Sequence, residues 1–205
     1  MQVEAEPIGA VFSALRARLD GWLGSPRRDF SECRVTLTYR FEAEGVPPVR
    51  LKLKAEINSR EHFSIFGLRE HPFAVRSRWY EGEARLLTYS LEELLGTKLR
   101  ALYQRRKGRD LFDLWDGLER GEADPDRIVQ AFLAYLQAEV HPVSRAEFEE
   151  NLAGKAADAN FLHDVAPLLA TGVAWRPREA VEIVSRELTA RLPGEAWRRV
   201  GPGSD

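Results

Sequence analysis

RVTLTYRFEAEGVPPVRLKLKAEIN, residues 34–58, holds two runs of strict alternation around one turn. Val35, Leu37, Tyr39 and Phe41 alternate with Arg34, Thr36, Thr38 and Arg40, the period-two pattern of a half-buried strand. Gly45-Val46-Pro47-Pro48 breaks the pattern, after which Val49, Leu51, Leu53, Ala55 and Ile57 alternate with Arg50, Lys52, Lys54, Glu56 and Asn58. Two such runs joined by a short loop predict an antiparallel hairpin. Working outward, Ile8, Val11, Phe12, Leu15, Leu19, Trp22 and Leu23 recur every three or four residues, which predicts an amphipathic helix over 8–23. Pro7 suits its first turn and Gly24-Ser25-Pro26 ends it.

Beyond the hairpin, shorter strand-like pieces fall near 73–79 and 84–89, and from Ser90 the period is helical almost to the end. Ser90 with Glu93 and Ser144 with Glu147 are capping-box patterns, and Tyr89 is placed to staple onto Leu94. Gly108 reads as a C-terminal cap, so the spacing predicts helices over 91–106 and 110–119. Pro125 and Pro177 open further helices, and GPGSD at the end reads as frayed. Strands first and helices afterwards predict an α+β chain, divided as an α/β part over 1–89 and a helical domain over 90–205.

Composition narrows the function classes. In 205 residues, 30 Lys and Arg nearly cancel 32 Asp and Glu, so only local clustering could mark a nucleic-acid binder. The single cysteine, Cys33, excludes an intrachain disulfide framework and a cysteine-built zinc site. No apolar run nears the roughly 18 residues that span a bilayer, and MQVEAEPIG has neither a basic start nor an apolar core. The expectation is an intracellular, cytoplasmic protein without a membrane partner.

Several residues invite chemistry, each with a plainer reading beside it. Glu56 sits near the end of its strand and could bind a hard divalent cation, or pair with Lys54 or a neighbouring Arg on a solvated face. Lys98 shares a helical row with Leu91, Leu95 and Leu102, so its ammonium either snorkels to water or meets a buried anion. Arg105 follows on nearly the same face, and the two could clamp a phosphate as point charge and fork. Arg105-Arg106-Lys107-Gly108-Arg109 is either a solvated connector or a contact for RNA phosphates. Asp110 and Asp113 begin the next helix, where the dipole favours carboxylates. Gly24-Ser25, Glu42-Ala43-Glu44 and Asp124-Pro125-Asp126 read as turns and caps, and His62, His71, His141 and His163 lack metal-type spacing.

LKLKAEINSREHF (51–63) and TYSLEELLGTKLRALYQRRKGRDLFDLW (88–115) together resemble the AbiEii/AbiGii toxin family of nucleotidyltransferase-like proteins. The second string carries the specific part: a Lys, then Ala-Leu, Arg, Arg-Asp and a further Asp. The resemblance implies a partial polymerase-beta-like nucleotidyltransferase core, an antiparallel or mixed sheet with a flanking helix, followed by an α-helical domain. It implies a toxin of a toxin–antitoxin or phage-defence system that transfers nucleotides from a nucleoside triphosphate (NTP), with magnesium (Mg2+), to tRNA, and a cognate antitoxin. Residue by residue, it makes Glu56 the metal-binding third carboxylate. Lys98, Arg105 and Arg109 become nucleotide-binding, Lys98 and Asp110 join Glu56 as catalytic, and Asp113 supports them.

The family's first motif, a Gly-Ser turn followed closely by Asp-x-Asp, is not found in these 205 residues and would align ahead of Met1. The expectation is therefore a shortened chain with impaired transfer, whose exposed sheet edge favours a homodimer. The alternative is a non-catalytic remnant that binds antitoxin or RNA through its basic helix junction. The enzymatic reading depends on Glu56 and Lys98 facing one cleft.

Overall fold

A computed structural model describes residues 8–31, 34–58, 63–78, 80–138 and 142–198. Pro7, Cys33, His62, His141 and the terminal GPGSD, all read above, lie outside the described residues. The chain divides into two compact units, Met1–Ser64 and Ile65–Asp205.

The first unit opens with α1 (Ile8–Leu23), which stops at Gly24 (φ 78°), a left-handed conformation that glycine adopts without a Cβ penalty. Three strands follow, β1 (Arg27–Ser31), β2 (Arg34–Glu42) and β3 (Arg50–Asn58), paired antiparallel in the order β1-β2-β3. The predicted hairpin is β2–β3, and β1 is an addition: RRDFS has no alternating apolar signature because all five of its residues are exposed. Leu37 and Tyr39 are buried on one face of β2, against Phe12, Leu19 and Leu23 of α1. Each such side chain contributes roughly 1.5–3 kcal/mol by leaving water. The Tyr39 hydroxyl donates to Asp20 at 2.9 Å, and Arg16 holds the same carboxylate at 2.7 Å. Burial and the neighbouring Asp20 raise the Tyr39 phenol above its ordinary pKa. Trp22, expected on the buried stripe of α1, is instead 78% exposed.

The second unit begins with an antiparallel ribbon, β4 (Arg69–Arg76) and β5 (Glu81–Thr88). These are the strand-like pieces expected near 73–79 and 84–89, both starting three or four residues nearer the N-terminus. Helices follow: α2 (Leu91–Gln104), α3 (Gly108–Glu119), α4 (Pro125–Ala138), α5 (Arg145–Ala156), α6 (Ala159–His163) and α7 (Pro177–Glu187). Leu95, Leu99 and Leu102 of α2 pack with Leu111 and Leu114 of α3, Ile128 and Phe132 of α4, Phe148 and Leu152 of α5, and Val184 of α7. Gly96 permits the close approach of α2 and α4, since a Cβ there would lie 2.6 Å from Ala131 Cβ.

Gly108 is not a C-terminal cap, because it is the first residue of α3 and is buried. A Cβ on it would collide with the Phe161 carbonyl oxygen, so packing explains this glycine. Helix α2 correspondingly ends at Gln104, two residues before its predicted end, with the Arg105 N–H donating to the Ala101 carbonyl at 2.9 Å. The Ser144–Glu147 capping box forms in full at the start of α5. Its two bonds from Ser144 hold the Glu147 carboxyl below its ordinary pKa. Asp124 accepts from the Asp126 N–H at 2.9 Å, the turn role expected of it. No described helix is long and apolar enough to cross a membrane.

Candidate functional site

The leucine seam between α2 and α3 leaves a polar border on one side, and most of the singled-out residues of the second unit meet there. Lys98 leaves α2 beside that seam, and its ammonium Nζ lies 2.7 Å from Asp113 and 3.8 Å from Asp110. The structure combines the two fates open to a lysine on this row: the side chain stays 37% exposed, and its ammonium meets the half-exposed Asp113 closely and the buried Asp110 at a longer distance. Asp110, in the first turn of α3, is fully buried. Arg105, the C-cap residue of α2, closes on it as a fork, with Nε and Nη2 each donating to one carboxylate oxygen at 2.7 Å. That pairing raises the guanidinium pKa further above its ordinary value. Lys98 and Asp113 remain partly open to solvent, their side chains 37% and 38% exposed.

The basic run around this joint is largely neutralised from within. Arg105 pairs with Asp110, Arg106 with Asp158 at 3.2 Å, and Lys107 with Asp164 at 3.9 Å. Arg109 is exposed and has no ion-pair partner among the described residues. The cluster thus presents one half-exposed ammonium and one half-exposed carboxylate beside a buried, fully committed Asp110.

Glu56 belongs to the first unit, and Lys98, Arg105, Arg109, Asp110 and Asp113 belong to the second. On β3, Glu56 accepts from Lys54 at 2.7 Å, and this bond holds its carboxyl below the ordinary range. Directly across from it on β2 is Thr36. One exposed carboxylate bonded to an ammonium, with Arg34 and Lys52 adding positive potential, is a poor magnesium ligand by itself. No group of three His, Cys, Asp or Glu comes together among the described residues. The described donors therefore do not fit a magnesium site of their own.

Two buried ionisable side chains escaped the sequence reading. Glu93, expected only as a capping-box residue, accepts from the backbone N–H groups of Ile65 (2.7 Å) and Phe66 (3.0 Å) and from the Tyr135 hydroxyl (2.9 Å). Ser90 still accepts from the Glu93 N–H, so the cap forms while the carboxylate serves a longer-range contact. Lys155 of α5 donates to the carbonyls of Leu102 and of Tyr103, the latter at 2.8 Å. A signal for it existed, because Phe148, Leu152 and Lys155 share one helical row, just as Lys98 shares its row with leucines.

Comparison with known proteins bears on residues 4–183, which match a family model described as "Nucleotidyl transferase AbiEii toxin, Type IV TA system". No curated protein and no solved structure matches the chain.

Proposed function

The chain belongs to the AbiEii nucleotidyltransferase toxin family of type IV toxin–antitoxin systems, and from that premise we propose that the α2–α3 border binds the triphosphate of an NTP. The observation that carries this reading is the half-exposed Lys98 ammonium, held between Asp113 and a buried Asp110 on two helices packed by leucines. An incoming phosphate oxygen exchanges for the exposed Asp113 carboxylate, while Asp110 keeps its contacts to Arg105 and Lys98. Arg109 adds a second positive charge from the same end of α3, and Arg105 adds its remaining nitrogen, Nη1. Asp110 is a positioning group in this scheme, since both of its oxygens are engaged and none of its surface is exposed.

In the reaction expected of such a site, an acceptor hydroxyl bonds to the α-phosphorus, pyrophosphate departs and the hydroxyl proton is released to water. We propose tRNA as the acceptor, a polymerase-beta-like core around β1–β3, and a cognate antitoxin as the biological partner. In this reading Glu56, on β3 of the first unit, is the strand-borne acid of the reaction. Magnesium is expected for the family, but the described donors do not hold it alone.

The test is incubation of the chain with each labelled NTP, magnesium and total tRNA, alongside direct measurement of NTP binding. Lys98→Ala should weaken NTP binding at least tenfold, and unchanged binding would overturn the site. Robust transfer surviving Glu56→Ala would remove Glu56 from the scheme. The rival reading, RNA capture by the basic junction, predicts salt-sensitive binding weakened by Arg105→Ala. The inward pairing of Arg105, Arg106 and Lys107 counts against it.

A further inference from the structure

Lys155 is only 4% exposed, yet it lies outside every role assigned above. It reaches from α5 to the carbonyls of Leu102 and Tyr103. Those carbonyls belong to the last turn of α2, where a helix has no N–H groups of its own left to offer. The Ala101 carbonyl in the same turn is already taken by the Arg105 N–H. A cation at this end also meets the negative pole of the helix. Two residues beyond Tyr103, the chain leaves the helix as Arg105, whose fork seats Asp110.

We infer that Lys155 is a positioning residue for the nucleotide-binding cluster: its ammonium pins the final turn of α2, so that Arg105 meets Asp110 and Lys98 meets Asp113. The inference rests on the triphosphate-binding reading of that cluster. Burial, with Arg106 nearby, pushes the Lys155 pKa down to about 8, and Asp110 opposes that shift. The fold thus keeps a charged group where an apolar side chain of similar length would be less costly to bury. Arg106 itself turns to Asp158, so the connector is fastened from α5 and from the N-cap of α6 together.

The experiment uses the full chain labelled with 15N and follows the Arg105 Nε–H resonance, identified by its loss in Arg105→Lys. Binding of ATP, GTP, CTP and UTP, each with magnesium, is measured on the same samples. Lys155→Met should keep the helical circular dichroism, shift or broaden the Arg105 resonance, and weaken binding of the preferred triphosphate at least tenfold. Lys155→Gln, which keeps one amide donor, should show the same changes at three- to tenfold. Leu152→Ala, a cavity one turn away on the same helix, should lower the melting temperature without moving the resonance. An unmoved resonance in Lys155→Gln overturns the proposal, and so does an equal change in Leu152→Ala. If the resonance moves as expected while no triphosphate binds even the unaltered chain, the positioning role stands and the nucleotide reading fails.

Discussion

The Arg105–Asp110 pair is asymmetric, and the asymmetry predicts which partner is the costlier to remove. Asp110 is fully buried, whereas the Arg105 side chain is 48% exposed. Asp110→Asn deletes the carboxylate charge but leaves one acceptor, and the freed guanidinium can turn to water. Two charge-assisted bonds of about 1.5–3 kcal/mol each, roughly halved for the exposed partner and partly kept by the Asn oxygen, put the loss near 2 kcal/mol. Arg105→Met strands a buried carboxylate whose remaining cation, Lys98, is 3.8 Å away. Stranding a buried charge costs about 3–5 kcal/mol, and Lys98 holds the figure near the lower end. At about 2–4 °C per kcal/mol, Arg105→Met should melt roughly 6–12 °C lower and Asp110→Asn roughly 4–8 °C lower. The double variant should lie within about 0.5 kcal/mol of Asp110→Asn alone, because no stranded charge remains. Near-ultraviolet circular dichroism reads this unit directly, since Phe112, Trp115 and Trp175 pack against one another in tilted and edge-to-face contacts. The reverse order of the two single variants, or Arg105→Met as stable as the unaltered chain, would refute the reasoning.

Gly108→Ala places a Cβ against the Phe161 carbonyl oxygen. It should cost more than about 2 kcal/mol in urea unfolding, and a loss under about 0.5 kcal/mol would show that the contact gives way easily. Arg40 and Lys52 face each other across β2 and β3, and neither has an ion-pair partner among the described residues. Lys52→Glu should therefore stabilise the first unit by about 0.5 kcal/mol at low salt, a gain that molar salt removes. For Lys155, the folded pKa of about 8 lies below the ordinary lysine value of 10.5. The unfolded chain then binds more protons between those values, so stability relative to Lys155→Met should rise from pH 8 towards pH 10, by at most about 1.4 kcal/mol per pH unit. A flat difference across that window would contradict the depressed pKa.

What the sequence revealed followed period and punctuation. Helix α1, the β2–β3 hairpin and the α5 cap each announce themselves, because their apolar residues recur at one period and their end residues are specific, although Leu51 and Leu53 of β3 stay 44% and 40% exposed. Strand β1 does not, because an edge strand with every side chain exposed has no apolar face to display. The β4–β5 ribbon was placed only approximately for a related reason: most of its residues are exposed, so little pins its register. At the candidate site, the row of Lys98 with Leu95 and Leu102 marks a lysine that either snorkels to water or meets an anion, and Asp110 and Asp113 stand nearby in the sequence. Which carboxylate is buried, and that Arg105 spends its fork on it, depends on how α2 meets α3 and lies beyond any local pattern. Gly108 is hidden in the same way, since its partner Phe161 lies 53 residues distant, and the row of Phe148, Leu152 and Lys155 marks a buried lysine without naming its partner Leu102, also 53 residues distant.

Glu93 has a bearing on how long the fold lasts once formed. Its carboxylate gathers donors from 28 residues before it and 42 residues after it, so both chain closures must be complete before those bonds exist. Bonds made late in assembly leave the folding rate almost untouched and act on escape from the native basin instead. Replacing Glu93 should consequently shorten the native lifetime while renaturation proceeds at nearly its original pace.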